Sequence, residues 1–296
     1  MLSLSPRPHT KVKLATIVAI LSVNTPLPVS AHQAVQAVRG DPTSRSVATN
    51  LPGFRAYFAP PAGFDPLTAS DSELAEYGLP PRPGSDAPAD AQRAWQQVAL
   101  SPARRILPTL HQSSFAARPP EVPQTDLPNA AKTYRATSYV WSGYAVYDSH
   151  KPFQHVEVIT EYVVPFAQQP FNVCDGTLHG ALSVAGIDGW ASADFISAGT
   201  TFLANCSYGY TDATYNEVVE WWPYYGADVD GLQVTPGDLM EVALWNTSQT
   251  TAGAFLLNLT TNQSVDISFS GPSSAKLTGT SVRMVDHTPV LQRRFD

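Results

Sequence analysis

From Tyr134 onward the chain is written in short runs of Val, Thr, Tyr, Trp and Phe broken by Gly, Pro, Asn and Asp, a pattern of strands and turns rather than helices. Val156 to Val164 has alternating apolar and polar positions and ends at Pro165. Tyr215 to Trp222, Asp238 to Trp245, Ala254 to Leu259, Ser264 to Phe269 and Thr280 to Val285 are further candidate strands. Segments of this length between polar turns predict an all-β domain, an antiparallel β-sandwich in which each strand buries one face and wets the other.

The preceding stretch has a different texture. Between His32 and Lys132, prolines recur at Pro42, Pro52, Pro60-Pro61, Pro66, Pro80-Pro81, Pro83, Pro102, Pro119-Pro120, Pro123 and Pro128, so regular structure is not expected to run far. One helix is expected from Ala87 to Leu100, with Trp95, Val98 and Leu100 as its apolar edge. The remainder reads as loop or extended chain. Before it, Arg7, Lys11 and Lys13 precede a modest apolar run from Leu14 to Val23, and Val29-Ser30-Ala31 has the small residues of a cleavage site. That run falls short of the ~20 apolar residues that span a bilayer. The expected organisation is therefore a signal peptide at 1–31, a Pro-rich propeptide or linker at 32–133, and the sandwich at 134–296 of a secreted, extracellular protein.

Charge narrows the partners. The formal net charge is -7, and after Tyr134 the Lys and Arg residues are confined to Arg135, Lys151, Lys276, Arg283, Arg293 and Arg294, which argues against nucleic acid. Few bases among many carboxylates also limit self-repulsion once the carboxylates protonate, which suits acidic surroundings. The two cysteines, Cys174 and Cys206, suit an oxidising compartment, where a disulfide between them would close a loop of roughly 30 residues and contribute about 3 to 4 kcal/mol. Two separate buried thiols are the alternative. Asn246-Thr247-Ser248, Asn258-Leu259-Thr260 and Asn262-Gln263-Ser264 match glycosylation acceptors. His150, His155 and the cysteine pair lack the spacing of a metal site, and neither a metal nor another cofactor is expected.

Several motifs fall in one order: Val140-Trp141-Ser142-Gly143, Ile159 to Pro165, Gly186-Ile187-Asp188-Gly189, Glu220-Trp221-Trp222-Pro223, and Asn258-Leu259-Thr260-Thr261-Asn262-Gln263-Ser264-Val265 followed by Phe269-Ser270-Gly271. In this order the chain resembles the glutamic peptidases, or eqolisins. The resemblance implies a concanavalin-like sandwich of two curved sheets, made as a precursor, whose cleft takes a polypeptide. Asn262 stands where the family carries a turn glycine, a mild exchange because Asn tolerates positive φ.

In that family a Glu activates water against the peptide carbonyl and a Gln stabilises the oxyanion. The chemistry requires both a carboxylate that exchanges a proton and a neutral donor aimed at the developing charge. By the resemblance, Phe195-Ile196-Ser197-Ala198-Gly199 places Ser197 at the Gln position. Ser281-Val282-Arg283-Met284-Val285-Asp286 places Val282 at the Glu position. Asp286 then matches a second, non-nucleophilic acid, and Asp188, Asp194, Glu220, Trp221 and Asp286 are the candidate cleft residues. The expectation is a monomeric protein with peptide hydrolysis lost or greatly weakened, whose cleft binds polypeptide, its own propeptide being one candidate occupant. Two alternatives stay open. Two of the candidate carboxylates could share a proton and activate water; or Trp141, Trp190, Trp221, Trp222 and Trp245 could form an aromatic platform for carbohydrate or polymer.

Overall fold

The computed structural model describes residues 45–113, 115–116, 141–147, 157–169, 174, 176–190, 192–207, 209–287 and 290–291. The signal-peptide expectation and residues 117–140 lie outside them. The compact unit runs from Gly40 to Asp296. In chain order its strands are β1 Ser46–Ala48, β2 Phe54–Tyr57, β3 Arg104–Arg105, β4 Thr109–Gln112, β5 Phe115–Ala116, β6 Trp141–Tyr147, β7 Glu157–Val163, β8 Leu178–Asp188, β9 Phe195–Ser207, β10 Tyr210–Trp222, β11 Tyr225–Asp230, β12 Leu239–Asn246, β13 Thr251–Asn258, β14 Gln263–Ser270, β15 Ser281–His287 and β16 Val290–Leu291. The helices are α1 Asp71–Glu76 and α2 Ala89–Ala99.

Two seven-stranded sheets form a sandwich. Sheet A runs β1-β2-β14-β13-β12-β7, with β3 also on β14; sheet B runs β4-β11-β10-β9-β8-β15-β6. Every pairing in them is antiparallel except β3 on β14. The core lies between the sheets, where Met240, Val242, Leu244, Leu256, Val265 and Ile267 of sheet A meet Ala185, Ile187, Ile196, Ala198, Val219 and Trp221 of sheet B. Because strand side chains alternate, this list sets the outward residues too: Ser197, Glu220 and Gly186 on sheet B, and Ala243, Trp245, Phe255 and Asp266 on sheet A. Trp245 lies so flat over Gly253 that a Cβ there would stand 2.3 Å from its ring, which only glycine avoids. Cys174 and Cys206 are joined in a disulfide with Cα atoms 4.9 Å apart.

The Pro-rich segment carries more structure than its prolines suggest. It supplies β2 to one edge of β14 with β1 outside it, β3 to the remainder of that edge, and β4 to β11. Each strand is short enough to fit between prolines. α2 matches the expected helix, with Trp95 and Val98 buried, but Leu100 is 48% exposed because it lies just past the last helical residue. α1 begins at Ser70-Asp71-Ser72-Glu73: the Ser70 hydroxyl accepts from Glu73 N, and the Glu73 carboxylate accepts from Ser70 N at 2.7 Å, a capping box. Arg104-Arg105, a dibasic pair of the kind that processing enzymes cut, is built into β3, and the Arg105 side chain is only 8% exposed.

Among the buried polar residues, Asn258, Glu217 and Asp266 each occupy a distinct setting in the sandwich. Asn258 is fully buried, donating to Gln233 O and Asp238 Oδ2 and accepting from Thr261 N, so this acceptor triplet cannot carry a glycan in the folded chain. Glu217 faces inward and accepts from Thr200, whose hydroxyl also bonds the Tyr162 hydroxyl at 2.6 Å. Asp266 faces outward beneath the N-terminal segment, 3.1 Å from Arg105.

Burial pushes Glu217 up to about 7 against the Thr200 hydrogen bond, and Asp266 up to about 8 against the pull of Arg105. Both are protonated in the folded chain over a range where the unfolded chain has ionised them. A raised folded-state pKa gives stability that is complete below the unfolded value and lost as pH rises through the folded one. Stability measured by urea unfolding is expected to fall by a few kcal/mol between about pH 4 and about pH 8, since each tenfold difference in proton affinity between the folded and unfolded chain is worth about 1.4 kcal/mol. Glu217→Gln should match the parent in acid and exceed it at the alkaline end; a parent profile that rises toward pH 8 would contradict this account.

Candidate functional site

The outward face of sheet B carries one polar row, built by register. Arg283 of β15 pairs with Gly186 of β8, Gly186 with Ser197 of β9, and Ser197 with Glu220 of β10. The Ser197 hydroxyl donates to Glu220 Oε2 at 2.8 Å. Arg283, Ser197 and Glu220 are each no more than 1% exposed.

Arg283 occupies the centre of this row. Its guanidinium lies over the Phe195 ring, 4.4 Å from the centroid, and Phe195 in turn stacks on Trp222 at 6.0 Å. The space comes from glycine: a Cβ at Gly186 would stand 3.0 Å from Arg283 Nη2, and one at Gly189 3.0 Å from Cζ. Burial pulls Arg283 down to about 10, while the charges of Glu220 and Asp188 hold it up, so the group stays cationic throughout the acid and neutral range. Among the described residues its three guanidinium nitrogens have no hydrogen-bond partner, so its compensation is by charge and ring contact.

Asp188 is an anchor. With φ of 68° it turns the chain into Gly189, itself at 82°, as its Asp-Gly sequence predicts. Its carboxylate is fully buried and accepts from Thr278 N at 2.6 Å, Gly279 N at 2.9 Å and Thr280 N at 2.8 Å, and from both threonine hydroxyls. It therefore holds the 278–280 loop rather than facing a ligand. Asp194, half-buried, accepts from Lys276 N and from the Tyr224 hydroxyl, again tying down a loop.

Two expected positions fall on the wrong side of the sheet for a cleft. Trp221 is fully buried in the inter-sheet core, edge-on to Phe269 at 6.0 Å, because it alternates with the outward Glu220. Val282 packs against the same core opposite Ile187, so it cannot face Ser197 across the sheet. The residue of β15 that shares the row with Ser197 is Arg283, one place further on. A one-residue step exchanges faces, and it separates the two positions that the motif alignment put together. Asp286 pairs through its backbone with Ser183 and Ser142; its side chain lies outside the described residues. Trp221 and Trp245 are core side chains, so an aromatic platform cannot use them.

Arg283 is the residue that sequence reading passed over. Its signal was present: a lone cation inside Ser281-Val282-Arg283-Met284-Val285, in a region with few bases, needs a compensating environment. Among the described residues no group of three or more His, Cys, Asp and Glu could hold a metal, and no helix is long and apolar enough to cross a membrane.

Comparison with known proteins follows the sandwich. Residues 139–285 match the model of the Peptidase A4 family. Scytalidopepsin B of Scytalidium lignicola is 35% identical over 106 residues, which cover 36% of this chain and 40% of that protein. Aspergillopepsin-2 of Aspergillus niger is 30% identical over 99 residues, covering 32% of this chain and 35% of that protein. The chain thus spans well under half the length of these curated relatives. Among solved structures, scytalido-glutamic peptidase with a transition state analog inhibitor aligns at 29% identity over 50% of this chain and 64% of its own, with a TM-score of 0.42.

Replacing Asp188 with Asn puts an amide N–H against donors that now meet a carboxylate. The expected cost is roughly 3 kcal/mol by chemical denaturation, with faster amide exchange at 278–280. Unchanged exchange in that loop would show that Asp188 is not its anchor.

Proposed function

We propose that this chain, whose residues 139–285 match the Peptidase A4 (glutamic peptidase, or eqolisin) family model, is an exported protein that retains a polypeptide-binding cleft and has lost, or nearly lost, peptide hydrolysis. The observation that carries the reading is the row Arg283–Gly186–Ser197–Glu220. Water attack on an amide needs a carboxylate that can take a proton and a neutral donor directed at the oxyanion. In this row Glu220 accepts from Ser197 and faces the charge of Arg283, so the carboxylate serves to balance a buried cation. Ser197 directs its proton to Glu220, and Val282 offers no proton chemistry on either face.

The carboxylate-pair alternative draws no support from the described groups. Asp188 is committed to the 278–280 loop and Asp194 to Lys276 N and Tyr224. The charges of Glu220 and Asp188 hold the buried Arg283 guanidinium in its cationic form, so both carboxylates already serve a resident cation. Export is consistent with the disulfide.

Removing an oxyanion donor typically lowers rate ~10²- to 10³-fold, and removing the base a further ~10²- to 10⁴-fold. Incubation of the purified chain with denatured protein at about pH 2 to 5, the range in which carboxylates of ordinary pKa titrate, should give no turnover above that level. Turnover abolished by Glu220→Gln or Asp286→Asn would overturn the proposal. Saturable binding of a denatured polypeptide by the folded chain would support its other half.

A further inference from the structure

The 45–113 part of the Pro-rich segment is built into the sandwich rather than laid across the row of Ser197, Glu220 and Arg283. Its helical part packs on the outward face of sheet A: Val98 joins Ala243, Trp245, Phe255 and Leu257 in one buried cluster. Arg105 reaches Asp266 there at 3.1 Å and donates to Tyr77 O at 2.6 Å and Phe58 O at 3.1 Å. A small core of Leu74, Tyr77, Leu79 and Trp95 stiffens this layer from within. The row of Ser197, Glu220 and Arg283 faces the other way.

The segment also closes the open side of the sandwich. β2 and β3 occupy the edge of β14 in sheet A, and β4 occupies the edge of β11 in sheet B. Phe54 bridges the seam, 5.2 Å from the ring of Tyr225 in sheet B and 5.9 Å from that of Phe269 in sheet A. The Asn50 amide pairs with both backbone groups of Leu110, at 2.6 and 2.9 Å, tying the two arms of the segment together. Leu110 and Ala56 are members of the inter-sheet core itself. Taking the segment away would open two strand edges and bare an apolar face, each a recognised route to aggregation or loss of stability.

We propose that residues 45–113 are a permanent third layer of the working protein, and that the outward face of sheet A with the β14 and β11 edges is an interaction surface whose partner is this segment, held whether or not the connecting chain is cut. The segment is then a stabilising subunit rather than a shed inhibitor. Its retention does not depend on the reading of the Ser197 row given above.

The test is to place a site-specific protease sequence between Arg118 and Lys132, cut the purified full chain, and follow the fragments by size-exclusion chromatography and native mass spectrometry from acid to neutral pH. Both fragments should elute together at the volume of the uncut chain and unfold in one transition. Separation of the fragments, whether or not the larger stays soluble, would overturn the proposal. Val98→Asp combined with Arg105→Ala should release the smaller fragment after cutting while the uncut variant stays folded. If cutting that variant releases nothing, the surface has been misassigned. Because the readout is association alone, a failure of the lost-hydrolysis reading leaves this result unaffected.

Discussion

The sandwich rests on one constraint: each central strand gives alternate side chains to a single apolar layer between the sheets. That layer is built from aliphatic and aromatic residues of both sheets, and most of them are completely removed from water. Their burial is the main favourable contribution to folding, and it also fixes register, since sliding a strand by one residue would turn its polar set inward. Everything on the outward faces follows from it. Ser197 faces out because Ile196 and Ala198 face in, and Arg283 faces out because Val282 faces in.

The outward face of sheet B then has to satisfy charges that are nearly inaccessible to water. A buried guanidinium is tolerated when opposite charges and polarisable faces surround it, and Arg283 has Glu220, Asp188 and the Phe195 ring. The glycines of Gly186-Ile187-Asp188-Gly189 are used twice, once for the turn and once for the room the guanidinium fills. A site arranged to neutralise a resident cation is poorly arranged to stabilise an oxyanion at the same place, because its carboxylate is already engaged.

The same control of charge extends to the carboxylates elsewhere. Glu217 lies between the sheets, Asp266 under the N-terminal layer, and Glu241 opposite Glu161 on sheet A, where burial and that like charge both raise it. Burying a protonated carboxyl is far less unfavourable than burying a carboxylate. A fold holding several of them is matched to acid, in keeping with a composition poor in bases. The N-terminal layer contributes by covering Asp266 and supplying Arg105, which links the acid-matched interior to the segment that closes the sandwich edge.

The fold was largely legible in the sequence, the site only partly. Alternation and turn residues located β7, β10, β12, β13, β14 and β15, and Asn262 does adopt positive φ, at 55°. β8 and β9 were hidden because Leu178 to Asp188 and Phe195 to Ser207 are rich in Gly, Ala and Ser, whose small side chains carry little alternation. The chemical types at Ser197, Glu220 and Arg283 were also there to read. What only tertiary structure decided was which of them share a face. Motif order aligned Val282 with Ser197, but strand pairing sets Arg283 in that row and turns Val282 to the core. The reason is physical: local sequence determines that a segment will be a strand and which residues alternate, whereas the partner strand determines which residue meets which. For the same reason the prolines foretold short elements at the N-terminus, and only the sheet edges waiting at β14 and β11 made those elements strands.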